Sequence, residues 1–295
     1  MNHNTTKAKI QPRDKLKLHP ASPVKLTRQG ERFAEVLYMA KQPCQGAVKL
    51  SKKDYMVIST GEVKQYQQHE KKQWESLAKT FAALRGIIRA NFEGNAKNQR
   101  SITLTYREMM TDPEKLMEDF RNFWKYFCLD YKGHKLEYVV VAEPQERGSW
   151  HLHVMVKSDQ PSWWVDMDKL NKRWRHGWTG LEALKSDDVG QYYVTYFTSL
   201  ADETKAVQGE VSEEMSKSKI KGGRLHFYPK GMRFYRCSRG IVRPKAEDVA
   251  YGEVLCDYGE PTYINTYAVV TDDGAGERDV NVIQKQTHIR KKRRE

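Results

Sequence analysis

Residues 138–156 read YVVVAEPQERGSWHLHVMV. An apolar run ends in Glu143, a short polar link containing Gly148 follows, and a second run carries His151-Leu152-His153. Two short apolar runs about such a link predict a hairpin of two buried strands. Side chains alternate across a strand, so His151 and His153 share one face and Leu152 points to the other. If Glu143 pairs near His151 in an even register, its carboxylate joins the two imidazoles. Two imidazoles and a carboxylate, with water completing the sphere, suit a divalent cation such as Mg²⁺ or Mn²⁺.

Working outward, the residues before the hairpin alternate between helical and strand periods. From Val63 to Phe92, Trp74, Leu77, Phe81, Leu84, Ile88 and Phe92 recur every three or four residues, which predicts a long amphipathic helix. Gly94, Asn95 and Asn98 end it. Ser101 to Tyr106 alternates polar and apolar residues as a strand does. A second helix is expected from Pro113 to Leu129, capped by Asp112, with Leu116, Phe120, Phe123, Trp124 and Phe127 inward. After the hairpin come a helix from Trp163 to Trp174, a strand from Gly177 to Leu184 and a helix opened by Asp187-Asp188. The order predicts an α+β fold with helices against a mostly antiparallel sheet. A strand is also expected at Tyr55–Ile58, and a β-prone run at Tyr263–Val270.

The chain of 295 residues is long enough to bury a substantial core. A mean hydropathy of −0.80 and the lack of any apolar run near ~18 residues predict no membrane span. No apolar signal-peptide core opens the chain, and four scattered cysteines without a Cys-x-x-Cys pair fit a reducing, cytoplasmic setting. The net charge of +13 sits at the ends: residues 1–60 hold 12 Lys/Arg against 4 Asp/Glu, and residues 285–295 hold 6 against 1. A basic chain with a neutral centre points to polyanion contact through arms and patches. Residues 1–30, rich in Lys, Pro and Thr, are expected to be a flexible arm.

Two further stretches carry chemistry. Gln191-Tyr192-Tyr193-Val194-Thr195-Tyr196-Phe197 places Tyr192 and Tyr196 on one helical face, with Tyr193 and Phe197 toward the core. A phenol becomes a nucleophile at neutral pH only beside a metal or base that offsets its proton. Lys217 to Lys245 holds ten Lys/Arg and no acid, interleaved with aromatics. Lys217, Lys219, Lys221, Arg224, Arg233, Arg236 and Arg239 suit phosphates, and Phe227, Tyr228 and Tyr235 suit stacking on unpaired bases.

Together these residues resemble the HUH-superfamily rolling-circle replication initiators (Rep proteins), of the replication-associated ORF2 kind found in phages, plasmids and other mobile elements. Thr103-Leu104-Thr105-Tyr106 is similar to the family's first motif, Glu143 with His151-Leu152-His153 to its metal motif, and Tyr192 and Tyr196 to its catalytic tyrosines. The similarity runs over roughly residues 75–240. It implies an HUH endonuclease domain at 61–245, with a central antiparallel sheet of about five strands flanked by helices. A basic N-terminal arm with short elements (1–60), a small β-rich extension (246–284) and a basic tail (285–295) would surround it. The function so implied is nicking of single-stranded DNA at a replication origin, through a 5′-phosphotyrosyl intermediate that leaves a 3′-hydroxyl primer. Family members usually carry a lysine three residues after the nucleophile; Thr195 and Ser199 stand there, leaving Lys185 or Lys205 as substitutes. The alternative is a catalytically weakened, DNA-binding replication or regulatory protein. No Walker-type segment is present, so a host helicase, with a DNA polymerase, is an expected partner. A cupin-type oxygenase is disfavoured, because its acidic ligand follows the histidines and the charge has no use there.

Overall fold

A computed structural model describes residues 9–41, 47–49, 54–57, 63–65, 74–145, 147–198, 228–229, 232–272 and 277–290. In chain order the elements are β1 (Lys9–Pro12), β2 (Pro23–Gln29), β3 (Phe33–Met39), β4 (Ala47–Lys49), β5 (Asp54–Val57), β6 (Val63–Gln65), α1 (Trp74–Asn91), β7 (Gln99–Leu104), α2 (Pro113–Asp130), β8 (Leu136–Pro144), β9 (Trp150–Ser158), α3 (Met167–Arg173), β10 (Thr179–Glu182), α4 (Val189–Thr198), β11 (Tyr235–Cys237), β12 (Ala246–Ala250), α5 (Tyr251–Tyr258), β13 (Tyr263–Asp272) and β14 (Glu277–Ile289). The chain divides into two compact units, one made of residues 71–243 and the other of both chain ends, 1–70 and 244–295.

The middle unit holds a five-stranded antiparallel sheet in the order β10-β7-β9-β8-β11. Side-chain alternation gives it two apolar faces. Ile102, Leu104, Val140, Leu152 and Val154 pack with Leu116, Phe120, Phe123 and Phe127 of α2 and Leu170 of α3. Val139, Val141 and Met155 pack with Phe81, Leu84 and Ile88 of α1 and with Val189, Tyr193 and Val194 of α4. Asp112 caps α2 as its sequence predicts, its carboxylate accepting from the backbone N–H groups of Glu114 at 2.8 Å and Lys115 at 3.2 Å.

The other unit holds a six-stranded sheet in the order β1-β13-β14-β3-β2-β12. Its core joins Val24, Leu26, Ala34 and Val36 to Tyr251, Val254 and Tyr258 of α5. Lys25 pairs with Asp248 at 2.9 Å, and Arg28 with both Glu247 and Asp257. The short β4-β5-β6 meander forms a third sheet.

Several elements depart from what the sequence leads one to expect. The first helix begins at Trp74, and Val63–Gln65, expected inside it, is strand β6. Within the stretch expected to be a flexible arm, residues 9–12 and 23–29 are strands. The β-prone run after 246 pairs with those N-terminal strands in one sheet, and residues 285–289, read as the start of a basic tail, finish β14.

Candidate metal centre

Glu143 lies near the end of β8 and His151 at the start of β9, directly opposite each other in the antiparallel register. Both belong to odd-numbered positions, so with His153 they share the sheet face that α1 and α4 cover. All three are buried, at 6%, 8% and 5% exposure, which is unusual for a carboxylate unless it is paired or metal-bound.

The donor atoms converge. The two imidazole Nε2 atoms are 2.8 Å apart, and Glu143 Oε2 lies 3.1 Å from His153 Nε2 and 3.4 Å from His151 Nε2. Ligands about 2.1 Å from an octahedral cation stand roughly 3 Å from one another, so one ion fits among all three. Thr103, which faces His153 across the β7–β9 ladder, sets its hydroxyl 3.4 Å from Nδ1 of that ring. A proton on Nδ1 directed at Thr103 leaves the Nε2 lone pair for a metal. His151 Nδ1 is buried with no hydrogen-bond partner among the described residues.

Electrostatics prepare the same state. Burial pushes the Glu143 carboxyl up, but the adjacent His151 and His153 outweigh it and hold the group down at about 2. For His153, burial is the main influence and lowers its pKa, with Glu143 opposing. An ionised carboxylate beside a neutral imidazole is the donor set that a divalent ion requires.

Beside this face stands α4, locked to α1 at its start. Arg89 and Asp188 form a two-point ion pair, with Nε to Oδ1 at 2.9 Å and a terminal nitrogen to Oδ2 at 2.5 Å. Asp188 Oδ1 also accepts from the Gln191 backbone N–H at 2.9 Å, capping the helix. Burial pushes the Asp188 carboxyl up, but Arg89 prevails and keeps it below the ordinary carboxylate range. Gly190 lets the helices touch: a Cβ there would lie 2.7 Å from the Arg85 carbonyl oxygen and 2.7 Å from Arg89 Cγ. Nothing in the local sequence pairs Arg89 with Asp188, 99 residues away; only the cap was legible.

The remaining predicted residues are only partly among those described. Tyr192 is 54% exposed on α4, its ring 5.3 Å from that of buried Tyr193, and among the described residues it makes no hydrogen bond or ring contact with the Glu143 triad. Tyr196 belongs to α4, but its side chain lies outside the described residues, as do Phe227 and Lys217, Lys219, Lys221 and Arg224. Tyr228 is half-buried, donating its hydroxyl to the Ala142 carbonyl at 2.7 Å and packing on Trp150 and Phe234. Tyr235 sits in β11 opposite Val141, Arg236 is half-buried, and Arg239 is exposed. Arg233 is exposed just before β11.

An antiparallel sheet with helices on both faces thus carries a His-x-His strand and an opposed glutamate whose donor atoms could hold one metal ion. Residues 99–201, about a third of the chain, match the model of the family described as replication-associated protein ORF2/gene 2 protein. The matched segment includes Thr103, the entire Glu143-His151-His153 triad and both tyrosines. No curated protein and no solved structure matches the chain. The resemblance read from the motifs therefore holds over this segment, and DNA replication is the process to which it points. Among the described residues, no helix is long and apolar enough to cross a membrane.

Proposed function

We propose that this chain initiates rolling-circle replication by nicking single-stranded origin DNA, with Glu143, His151 and His153 as metal ligands and Tyr192 or Tyr196 as nucleophile. The observation that carries this is the convergence of three buried donor atoms, spaced for one cation, inside the segment that matches a replication-associated family. When bound, Mg²⁺ or Mn²⁺ would draw negative charge from a non-bridging oxygen of the scissile phosphate. Thr103 would orient His153 through its Nδ1. A tyrosine Oη would release its proton to solvent and attack phosphorus, the bond from phosphorus to O3′ would break, and a 5′-phosphotyrosyl link would form. The leaving 3′-oxygen gains a proton and becomes the primer for a host DNA polymerase, while a separate host helicase opens the duplex. Two tyrosines one helical turn apart allow the second to receive the strand end after one round. Basic residues from Lys217 to Arg239, with Phe227, Tyr228 and Tyr235, would follow the strand.

One observation favours a second reading. Thr195 and Ser199 occupy the positions three residues after the tyrosines, so the cation usual there is missing, as suits a DNA-binding regulator with weakened chemistry. The test mixes protein, Mn²⁺ and single-stranded DNA from its own element's origin, with a denaturing gel as readout. A covalent adduct lost in the Tyr192→Phe/Tyr196→Phe double variant and on chelation supports the nickase. Tight binding without any adduct favours the regulator.

A further inference from the structure

Gly177-Trp178-Thr179-Gly180 leads into the edge strand β10. Thr179 is buried and donates to Asn171 of α3, so its neighbours on either side point to the opposite face of the sheet. That opposite face is the one bearing the metal ligands. Gly180 pairs with Thr103, and Thr103 pairs with His153. Trp178 extends the same ladder, its carbonyl accepting from the Thr105 N–H at 3.0 Å and the Thr105 hydroxyl at 2.9 Å.

The indole of Trp178 folds back along the strand and lies over Gly180. A Cβ on Gly180 would stand 2.7 Å from the ring's Cη2 and 3.1 Å from Cζ3, and 3.5 Å from Thr103 Cβ. Gly177 is equally necessary, since a Cβ there would come within 2.4 Å of the Thr105 carbonyl oxygen. The two glycines thus press the main chain onto β7 and leave a bay for the ring. Yet the indole is 66% exposed and makes no ring contact among the described residues. Two inter-strand spacings, roughly 10 Å, separate the Trp178 and His153 strands. The exposed Arg107 lies at the same strand end, its N–H meeting the His176 carbonyl at 2.9 Å, while Arg175 directs its Nε to the Lys172 carbonyl at 3.1 Å.

We infer that Trp178 is the stacking platform for an unpaired nucleobase adjacent to the phosphate held at the Glu143-His151-His153 site. An exposed indole held by its backbone offers a large flat surface at little conformational cost, and every base has a face to cover it. Its position on the sheet face of the metal ligands, roughly 10 Å from the His153 strand, with the exposed Arg107 at the same strand end, selects single-stranded nucleic acid as the occupant. Stacking on the ring discriminates little between bases, so its contribution is to hold the strand's register and to refuse duplex, whose bases are already stacked. The inference rests on the reading of this chain as a single-strand nickase.

The experiment compares wild type, Trp178→Phe and Trp178→Ala in the full-length chain. Affinity for fluorescein-labelled oligo-dT and for a mixed-sequence oligonucleotide is measured by anisotropy, alongside thermal melting and intrinsic tryptophan fluorescence. The alanine variant is expected to bind both oligonucleotides roughly ten- to a hundredfold more weakly, with phenylalanine retaining most of the affinity. Saturating oligonucleotide should quench wild-type fluorescence more than it quenches the phenylalanine variant. If the alanine variant melts lower but binds as tightly as wild type, the ring merely covers an edge glycine and the inference is overturned. If wild type itself fails to bind either oligonucleotide, the nickase reading falls and the platform with it. The two failures are therefore distinguishable.

Discussion

Replacing Gly190 with Ala tests how closely the tyrosine-bearing helix is seated on α1. Its added methyl would sit 2.7 Å from the Arg85 carbonyl oxygen, where ordinary contact begins at 3.4 Å, a deficit of about 0.7 Å. Arg89 Cγ is equally close, but a side chain can shift; a main-chain oxygen inside α1 cannot without moving the helix. Overpacking of this kind costs about 1–3 kcal/mol. For a unit spanning 71–243 that lowers the melting temperature by about 3–10 °C. A displacement of α4 near 1 Å would also cost about a hundredfold in any chemistry that a tyrosine on it performs. Calorimetry reads the first effect and the rate of covalent adduct formation the second. A Gly190→Ala protein that melts with wild type and reacts at the wild-type rate would refute the close seating. Loss of stability with no adduct even in wild type would leave the packing argument intact and remove only the catalytic one.

Two other outcomes are expected. Glu143→Gln removes the only anionic donor of the triad and should weaken Mn²⁺ binding by more than about a hundredfold, as read by calorimetric titration; an unchanged isotherm would show that the three atoms do not hold the ion. Asp188 has its carboxyl lowered in the fold, so its contribution is complete above the ordinary carboxylate range near pH 4 and fades as pH falls through the lower folded value. Asp188→Asn should cost about 1.5–3 kcal/mol at pH 7 and flatten the loss of stability below pH 4. Parallel acid-unfolding curves for the two proteins would show that the Arg89–Asp188 pair contributes nothing.

The hairpin was legible because it is local. Two apolar runs around Gly148 predicted the hairpin and left its register conditional, and the structure pairs Glu143 with His151. Asp112 and the apolar face of α2 were legible for the same reason: their partners lie within one or two turns. The start of α1 was not, since residues 63–65 pair with Asp54–Met56 in a meander, a partner outside any helical period. Nor was the terminal sheet, where Phe33 pairs with Ile289; no local pattern encodes a partner at that distance. At the candidate site, Thr103 and the histidines could be found from motif and period. Arg89, Gly190 and Trp178 could not, because their roles depend on which elements abut: a helix against a helix, and an indole above a glycine beside Thr103.

The six-stranded sheet has a consequence for how the chain is made. Its first hairpin, β2–β3, leaves the ribosome with both outer edges open, and the strands that flank it, β12 and β14, are synthesised some 200 residues later. Residues 71–243 are in this sense a guest sequence threaded into a host whose two halves lie on either side of it in the chain. Vectorial synthesis gives the guest every chance to acquire its hairpin and helices first, while the host remains half a sheet with unpaired strand edges. A chain stopped before β12 would carry the metal ligands yet leave β2 and β3 without the strands that flank them.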